Sequence, residues 1–451
     1  MPSRNFLLAV TLILALGSLE PSTAFAGRTQ LSYFNELQGL KEAYDLVKTQ
    51  YVTEEKVKEK ELLYGAVEGM LKKLDDPYTR FMKPEGFESM QTETQGQFGG
   101  LGILIGMKDN MLTVIAPMEN TPAYRVGIRA GDQIVKVNGA TTKGMTVNDA
   151  VKLLRGEIGT KVLVSVRREG ERNPLDYTIV REQIKVSSVR AKMIDDGTGY
   201  AHISQFSQST GEDLEKAIAG FEKNYQLKGF ILDLRNNPGG LLNAAVDVGK
   251  VFLGKAKIVS IKGRKGEEVT YASFAQAHKR WPLVVLINEG SASASEIVAG
   301  AIHDNKRGIL LGRKSFGKGS VQTVLPLQDG SALALTTAYY YTPSGVCIHK
   351  VGIQPDITVD LPKLTDAQLV ELRLEREKEF DRTIEDSKAN RKDVFLSVSK
   401  YDTQLLQAIE VLKAASVFSQ RVLEPQAPAA PPNVAVNNQA VTSPSPVRAK
   451  D

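Results

Sequence analysis

The spacing of apolar residues changes several times along this chain. Leu31, Phe34, Leu37 and Leu40, then Tyr44, Leu46, Val47 and Tyr51, recur near helical period. A second helical set follows at Leu62, Leu63, Ala66, Val67, Met70, Leu71 and Leu74. It stops at Asp75-Asp-Pro-Tyr-Thr-Arg-Phe81, where Pro77 breaks the helix. From about 95 to 182 short strands take over: Leu112–Ile115, Ile134–Val137 and Val162–Val166, with a helix at Met145–Leu154. From about 185 to 362 strands and helices alternate, which predicts a layered α/β core. That region includes a buried strand at Gly229–Leu234, a helix at Gly211–Lys223, a hairpin over Ile258–Tyr271 and a strand at Leu333–Tyr341. Charged amphipathic helices return at 365–388 and at Tyr401–Ala415. Residues from about 423 to 451 are rich in Pro, Ala, Val and Asn, and predict a disordered tail.

One turn concentrates candidate chemistry. The apolar run Trp281–Ile287 reads as a buried strand, and the Ala-rich Ile297–Ile302 reads as a helix. Between them lies Asn288-Glu-Gly-Ser-Ala-Ser-Ala-Ser-Glu296, so serines sit where a strand gives way to a helix N-terminus. Ser293-Ala-Ser-Glu296 is also a capping box, a purely structural reading. Downstream, Gly317 and Gly319 flank Lys318, which lies 25 residues beyond Ser293. Asp233-Leu-Arg-Asn-Asn-Pro-Gly-Gly240 ends the predicted strand at Gly229–Leu234.

Composition narrows the field. With 451 residues, the chain is too long for one compact domain. It is 42% hydrophobic and 24% charged, with a net charge of +5 spread among both signs, so no nucleic-acid footprint is expected. Cys347 is the single cysteine, which excludes an internal disulfide and a Cys-based zinc site. His202, His278, His303 and His349 lack metal-ligand spacing, and neither a metal nor another cofactor is expected. Arg4, the apolar run Phe6–Leu16 and Ala24-Phe-Ala26 read as a signal peptide, residues 1–26, cleaved after Ala26. Export to a periplasm or an equivalent lumen follows as an expectation.

The serine turn, the glycine-flanked lysine and the Asn-Pro-Gly-Gly run together resemble the carboxyl-terminal processing (tail-specific) proteases, serine peptidases with a Ser/Lys dyad. Asp76-Pro-Tyr-Thr79, Gly199-Tyr-Ala-His-Ile-Ser-Gln-Phe206 and Gly352-Ile-Gln-Pro-Asp356 are similar to further segments of that family, over roughly residues 40–362. The resemblance implies a multidomain α/β chain with a ClpP/crotonase-like layered protease core. An N-terminal helical region would occupy 27–94, an inserted, mostly β PDZ domain 95–182, the protease core 183–362 and a C-terminal helical region 363–422. Gly100-Leu-Gly-Ile103, followed by Ala123-Tyr-Arg-Val-Gly-Ile128 and Gly131-Asp132, resembles a PDZ carboxylate-binding loop. Gly100, Leu101, Gly102 and Ile103 would then offer backbone N–H groups and an apolar frame to a protein's free C-terminus.

The implied chemistry is peptide hydrolysis. Ser293 attacks the scissile carbonyl and Lys318 takes its proton. A free lysine titrates near ~10.4 and a useful base near ~7–8, a difference worth ~4 kcal/mol that burial would have to supply. By resemblance, Gln322 orients Lys318, and Ala294 with either Gly239 or Gly240 forms the oxyanion hole. The family motif selects Ser293 among its neighbours, with Ser295 as second choice. A Ser/His triad through His303 fails on distance, because ten helical residues span ~15 Å. Asp233 and Arg235 are expected to pair structurally. Expected partners are proteins with exposed apolar C-termini, with an adaptor or a second copy of the chain as further possibilities. Two alternatives belong to other classes: an exported PDZ binding protein with an inactive protease-like domain, and a crotonase-like acyl enzyme. The retained Ser293, Lys318 and Gln322 argue against the first. The PDZ segment and leader argue against the second.

Overall fold

The computed structural model describes residues 23–423, apart from 109, 119, 186, 275–280, 369, 373 and 376–397. Residues 1–22 of the expected leader, most of the expected helix at 365–388 and the tail from 424 lie outside the described residues. Two units form: one from residues up to Lys83 with Leu325–Ala334, the other from Pro84–Val324 and the chain from Leu335 onward.

The first unit is helical, with helices at Thr23–Gln50 and Glu59–Lys72. Ala24–Ala26 falls at the start of the first of these helices. The Asp75–Phe81 turn ends the second, and Arg80–Met82 pairs antiparallel with Ala332–Ala334. Tyr64 lies 4.8 Å from the Phe81 ring and donates to Asp329 at 2.8 Å. The helical period read from the sequence is present, but Leu40, Leu46, Leu63, Met70 and Leu74 stay exposed.

In the second unit, residues 103–180 fold into a sheet of Ile103–Lys108, Met111–Pro117, Gln133–Val137, Lys161–Arg167 and Leu175–Val180, in that order. Ala140–Thr141 adds to Gln133–Val137. Alternation explains the strand at 161–167: Val162, Val164 and Val166 point into a core with Leu101, Leu112, Ile134 and Ile179. The helix Val147–Leu154 closes that core, capped by Thr146 and Asp149. Ile103–Lys108 lies at the sheet edge.

The α/β part centres on a second sheet, in the order Val189–Met193, Thr198–Ile203, Gly229–Asp233, Leu283–Ile287, Ile309–Gly312 and Ile357–Thr358. The first pair is antiparallel and the rest are parallel. Gly229–Asp233 and Leu283–Ile287 are buried at every position, which is why they read as continuous apolar runs. One face is covered by the helices Thr210–Asn224, Leu242–Phe252 and Ala294–Asp304. On the other, Leu405, Ala408, Ile409 and Leu412 of the helix Thr403–Leu423 pack on Ile231, Val284, Leu286 and Leu311. The predicted hairpin forms as Ala256–Gly263 with Glu268–Ser273, and joins the long strand Ala332–Tyr341. Ser320–Pro326 pairs with that same long strand.

Candidate active site

The ends of the parallel strands Gly229–Asp233 and Leu283–Ile287 carry the two turns that matter. In the serine turn, Ser291 donates to Leu234 O at 2.8 Å and accepts from Asn288 N at 2.9 Å. Ser295 donates to Asn237 O at 3.0 Å. Both serines are fully buried. Their hydroxyls hold the turn to the neighbouring strand end. Ser293 differs: its backbone has φ 55° and ψ −110°, a sparsely populated conformation for a residue with a side chain. This twist turns Ser293 away from its neighbours, and it keeps 8% exposure.

The capping box is real. Ser293 accepts from the amide of Glu296, and Ser293 N donates back to Glu296 Oε2 at 2.8 Å. The same carboxylate does more. Lys318 N donates to Oε2 at 2.9 Å, while Gly317 N and the Ser315 hydroxyl donate to Oε1 at 2.7 and 2.5 Å. Glu296 is fully buried, and burial raises its pKa; these four donors pull in the opposite direction. One side chain therefore fixes the backbone of Ser293 and that of Lys318 on a single oxygen. The glycines beside Lys318 are required by space: at Gly319 a Cβ would sit 2.2 Å from His349 N, and Gly317 has φ 91°.

Gln322 lies on the next strand and donates through Nε2 to Ser320 Oγ at 2.9 Å and Thr336 Oγ1 at 3.2 Å. Tyr340, buried on the adjoining long strand, donates its N–H to Gly319 O at 2.7 Å. Its hydroxyl bonds to Ser293; burial pushes its pKa up to about 12, so it stays protonated.

The glycine turn meets the serine turn side by side. Asn237 Nδ2 donates to Ile203 O at 2.8 Å, and Asn237 O accepts both the Ala292 amide and the Ser295 hydroxyl. A Cβ on Gly239 would stand 2.8 Å from Ser293 Cβ and 3.1 Å from Ala294 N. The Gly239 amide is already used, donating to Asn237 Oδ1 at 2.9 Å. The amides of Gly240 and Ala294 meet no acceptor among the described residues.

Other expected residues fall elsewhere. His303 sits at the far end of the serine helix, beside Asp304 and Asp356. Asp233 and Arg235 do pair, at 2.6 Å. In the PDZ-like loop, Leu101 is buried in its core and Ile103 is half-buried at the sheet edge. Gly102 has φ 74° and packs against Thr121, and its carbonyl accepts Met118 N and Thr121 Oγ1. The amides of Leu101 and Gly102 meet no acceptor among the described residues. Sequence reading saw Glu296 only as a cap and missed Asn237 and Tyr340 altogether. The S-x-x-E spacing was the one signal for Glu296, and it pointed to a local role.

Comparison with known proteins gives the same chemistry a family. Residues 197–359 match the family model Peptidase family S41, and residues 113–168 match the PDZ domain. The carboxy-terminal-processing protease of Bartonella bacilliformis is 43% identical over 360 residues, covering 79% of this chain and 81% of that one. The chain belongs to the carboxy-terminal processing proteases of family S41. It is a serine peptidase carrying a PDZ domain. Residues 19–86 match the Activating protease CtpB N-terminal domain. The carboxy-terminal processing protease CtpA of Bacillus subtilis is 40% identical, covering 72% of this chain and 69% of its own. A solved photosystem II D1 C-terminal processing protease is 33% identical, covering 71% and 93%, with a TM-score of 0.43.

Proposed function

We propose that this protease cuts by a Ser293/Lys318 dyad. Ser293 Oγ attacks the scissile carbonyl, and the neutral Lys318 amine takes the proton and returns it to the leaving amine. Water then releases the acyl group by the reverse transfers. The amides of Gly240 and Ala294 hold the oxyanion, each donor worth ~2.7–4 kcal/mol. Gln322 orients Lys318. The observation that carries this reading is the Glu296 carboxylate, which binds the backbone of Ser293 at 2.8 Å and that of Lys318 at 2.9 Å. Ser291 and Ser295 spend their protons on the carbonyls of Leu234 and Asn237, whereas the Ser293 hydroxyl, which caps Glu296 and meets Tyr340, keeps some exposure, and this supports Ser293 as the nucleophile.

The proposed substrates are exported proteins with exposed apolar C-termini. The last carboxylate would rest on the Leu101 and Gly102 amides, and the tail would extend along Ile103–Lys108 as an added strand. The leader 1–26 would be removed after Ala26, delivering the enzyme to a periplasm or an equivalent lumen. Mass measurement of the protein from the cell envelope then gives a chain starting at Gly27; an intact Met1 there contradicts export with cleavage.

The test of the dyad is cleavage of an unfolded protein with an apolar tail by wild type, Ser293→Ala and Lys318→Ala. Both variants lose cleavage yet still bind the tail. Full activity in either one overturns the assignment. Tail binding by wild type without any cleavage favours the binding-module reading instead.

A further inference from the structure

The C-terminal helix Thr403–Leu423 lies beyond the residues matched to the peptidase family, yet it reaches the active-site turn through a buried ion cluster. Arg235 directly precedes Asn236–Gly240. Its guanidinium grips Asp233 through Nε at 3.0 Å and Nη2 at 2.6 Å. It grips Asp402 with two parallel bonds, Nη1 to Oδ1 at 2.8 Å and Nη2 to Oδ2 at 2.9 Å. Nη1 also donates to Gln404 Oε1 at 3.1 Å, and Gln404 Nε2 continues to Val359 O at 2.8 Å. The Tyr200 hydroxyl completes the cluster on Asp233 Oδ2 at 2.9 Å. The Arg235 side chain is 11% exposed and that of Asp233 3%. Asp402 caps the C-terminal helix, accepting Leu405 N at 3.0 Å. A paired carboxylate–guanidinium fork fixes direction as well as distance.

The position of Arg235 sets the path of the turn after it. Asn236 has φ 56°, and it is held to Asn288 by donating its N–H to Asn288 Oδ1 at 2.8 Å and by accepting Asn288 Nδ2 on its own Oδ1 at 2.9 Å. The Asn237 carbonyl then supports Ala292 and Ser295, the residues on either side of Ser293–Ala294. From these contacts we infer that Asp402 is a positioning residue: by anchoring Arg235 it sets the Asn236–Gly240 turn, and with it the distance between the Gly240 and Ala294 amides. The start of the C-terminal helix, at Asp402, thereby positions the turn, while the rest of the helix, Leu412 included, covers the sheet. The inference rests on the proposed oxyanion role of those amides.

Asp402→Asn tests it in the full-length chain, since the amide keeps the volume and can still cap the helix but lacks the second acceptor for the fork. Leu412→Ala is the comparison: it loosens the same helix from the sheet without touching Arg235. Misplaced donors weaken transition-state binding, so kcat for tail-bearing substrate falls on the order of tenfold or more in Asp402→Asn, with KM within about twofold of wild type. Leu412→Ala lowers the thermal midpoint at least as much and leaves kcat near wild type. Wild-type kcat in Asp402→Asn overturns the inference. So does an equal loss of kcat in the two variants at matched thermal midpoints, which makes the contact merely structural. Covalent labelling by a fluorophosphonate separates this from the serine assignment. If the kcat split holds but the label sits on another serine, the coupling stands and the assignment of Ser293 falls.

Discussion

Two of the turns carry backbone N–H groups that meet no acceptor among the described residues, and they are built differently. The loop Gly100–Ile103 is fixed mainly by its own carbonyls, which accept Met118 N and Ala123 N, with Thr121 packed beneath Gly102. The serine turn is fixed by its own buried side chains, which reach separate segments: Ser291 to Leu234 O, Ser295 to Asn237 O, and Glu296 to Ser315, Gly317 and Lys318. A loop that binds a finished carboxylate tolerates small shifts. A site that must meet a transient oxyanion and a proton transfer does not, because small displacements there cost large factors in rate. Buried polar groups are thus concentrated where the proposed chemistry demands placement.

Changes at the two turns should therefore differ in size and kind. Ser293→Ala removes cleavage by ~10³-fold or more and leaves tail binding intact; equilibrium binding of a labelled tail peptide checks the second half. Glu296→Gln comes next. Every partner of that carboxylate is a donor, so an amide nitrogen must face one or more of them. We expect kcat to fall on the order of 10²-fold. Steady-state kinetics showing near-wild-type kcat would separate the strap from catalysis.

The pH profile sharpens the same point. Burial raises the pKa of Glu296 above 4.5. Protonation costs one acceptor oxygen; its midpoint, followed by carboxyl infrared absorption rather than by activity, which also needs the neutral Lys318 amine, lies above 4.5, and a midpoint at or below that value contradicts this assignment. Stability depends on this group too. Its folded pKa exceeds its unfolded one, so its contribution is fully present below about 4.5 and is lost as pH rises through the folded value. The smallest effect belongs to the binding loop. In Gly102→Val the side chain meets Thr121 at 2.2 Å and the residue must hold φ 74°. KM for tailed substrates rises about tenfold while kcat stays within about twofold.

Much of this was legible in the chain. The buried strands at 229–233 and 283–287 announced themselves as unbroken apolar runs, and helices expected at 145–154 and 211–223 form at 147–154 and 210–224. The candidate serine and lysine came from spacing and resemblance. What could not be read was tertiary. Ser293-Ala-Ser-Glu296 looks the same whether its glutamate caps one helix or also straps a loop 22 residues away, because Lys318 enters only in the fold. The Asx bond from Gly239 N to Asn237 Oδ1, on which the proposed preference for Gly240 rests, was equally invisible. Asp402 gave no signal, since its partner lies 167 residues back. The period of the N-terminal region did predict its helices, although Leu40, Leu46, Leu63, Met70 and Leu74 there stay exposed.

The central claim is that Ser293, activated by Lys318, is the reacting group. Its most direct test is to treat wild type and Lys318→Ala with a fluorophosphonate and map the adduct by mass spectrometry. An adduct is expected on Ser293 in wild type, formed at least ~10²-fold more slowly in Lys318→Ala. An adduct on Ser291 or Ser295, or a labelling rate indifferent to Lys318, would contradict it.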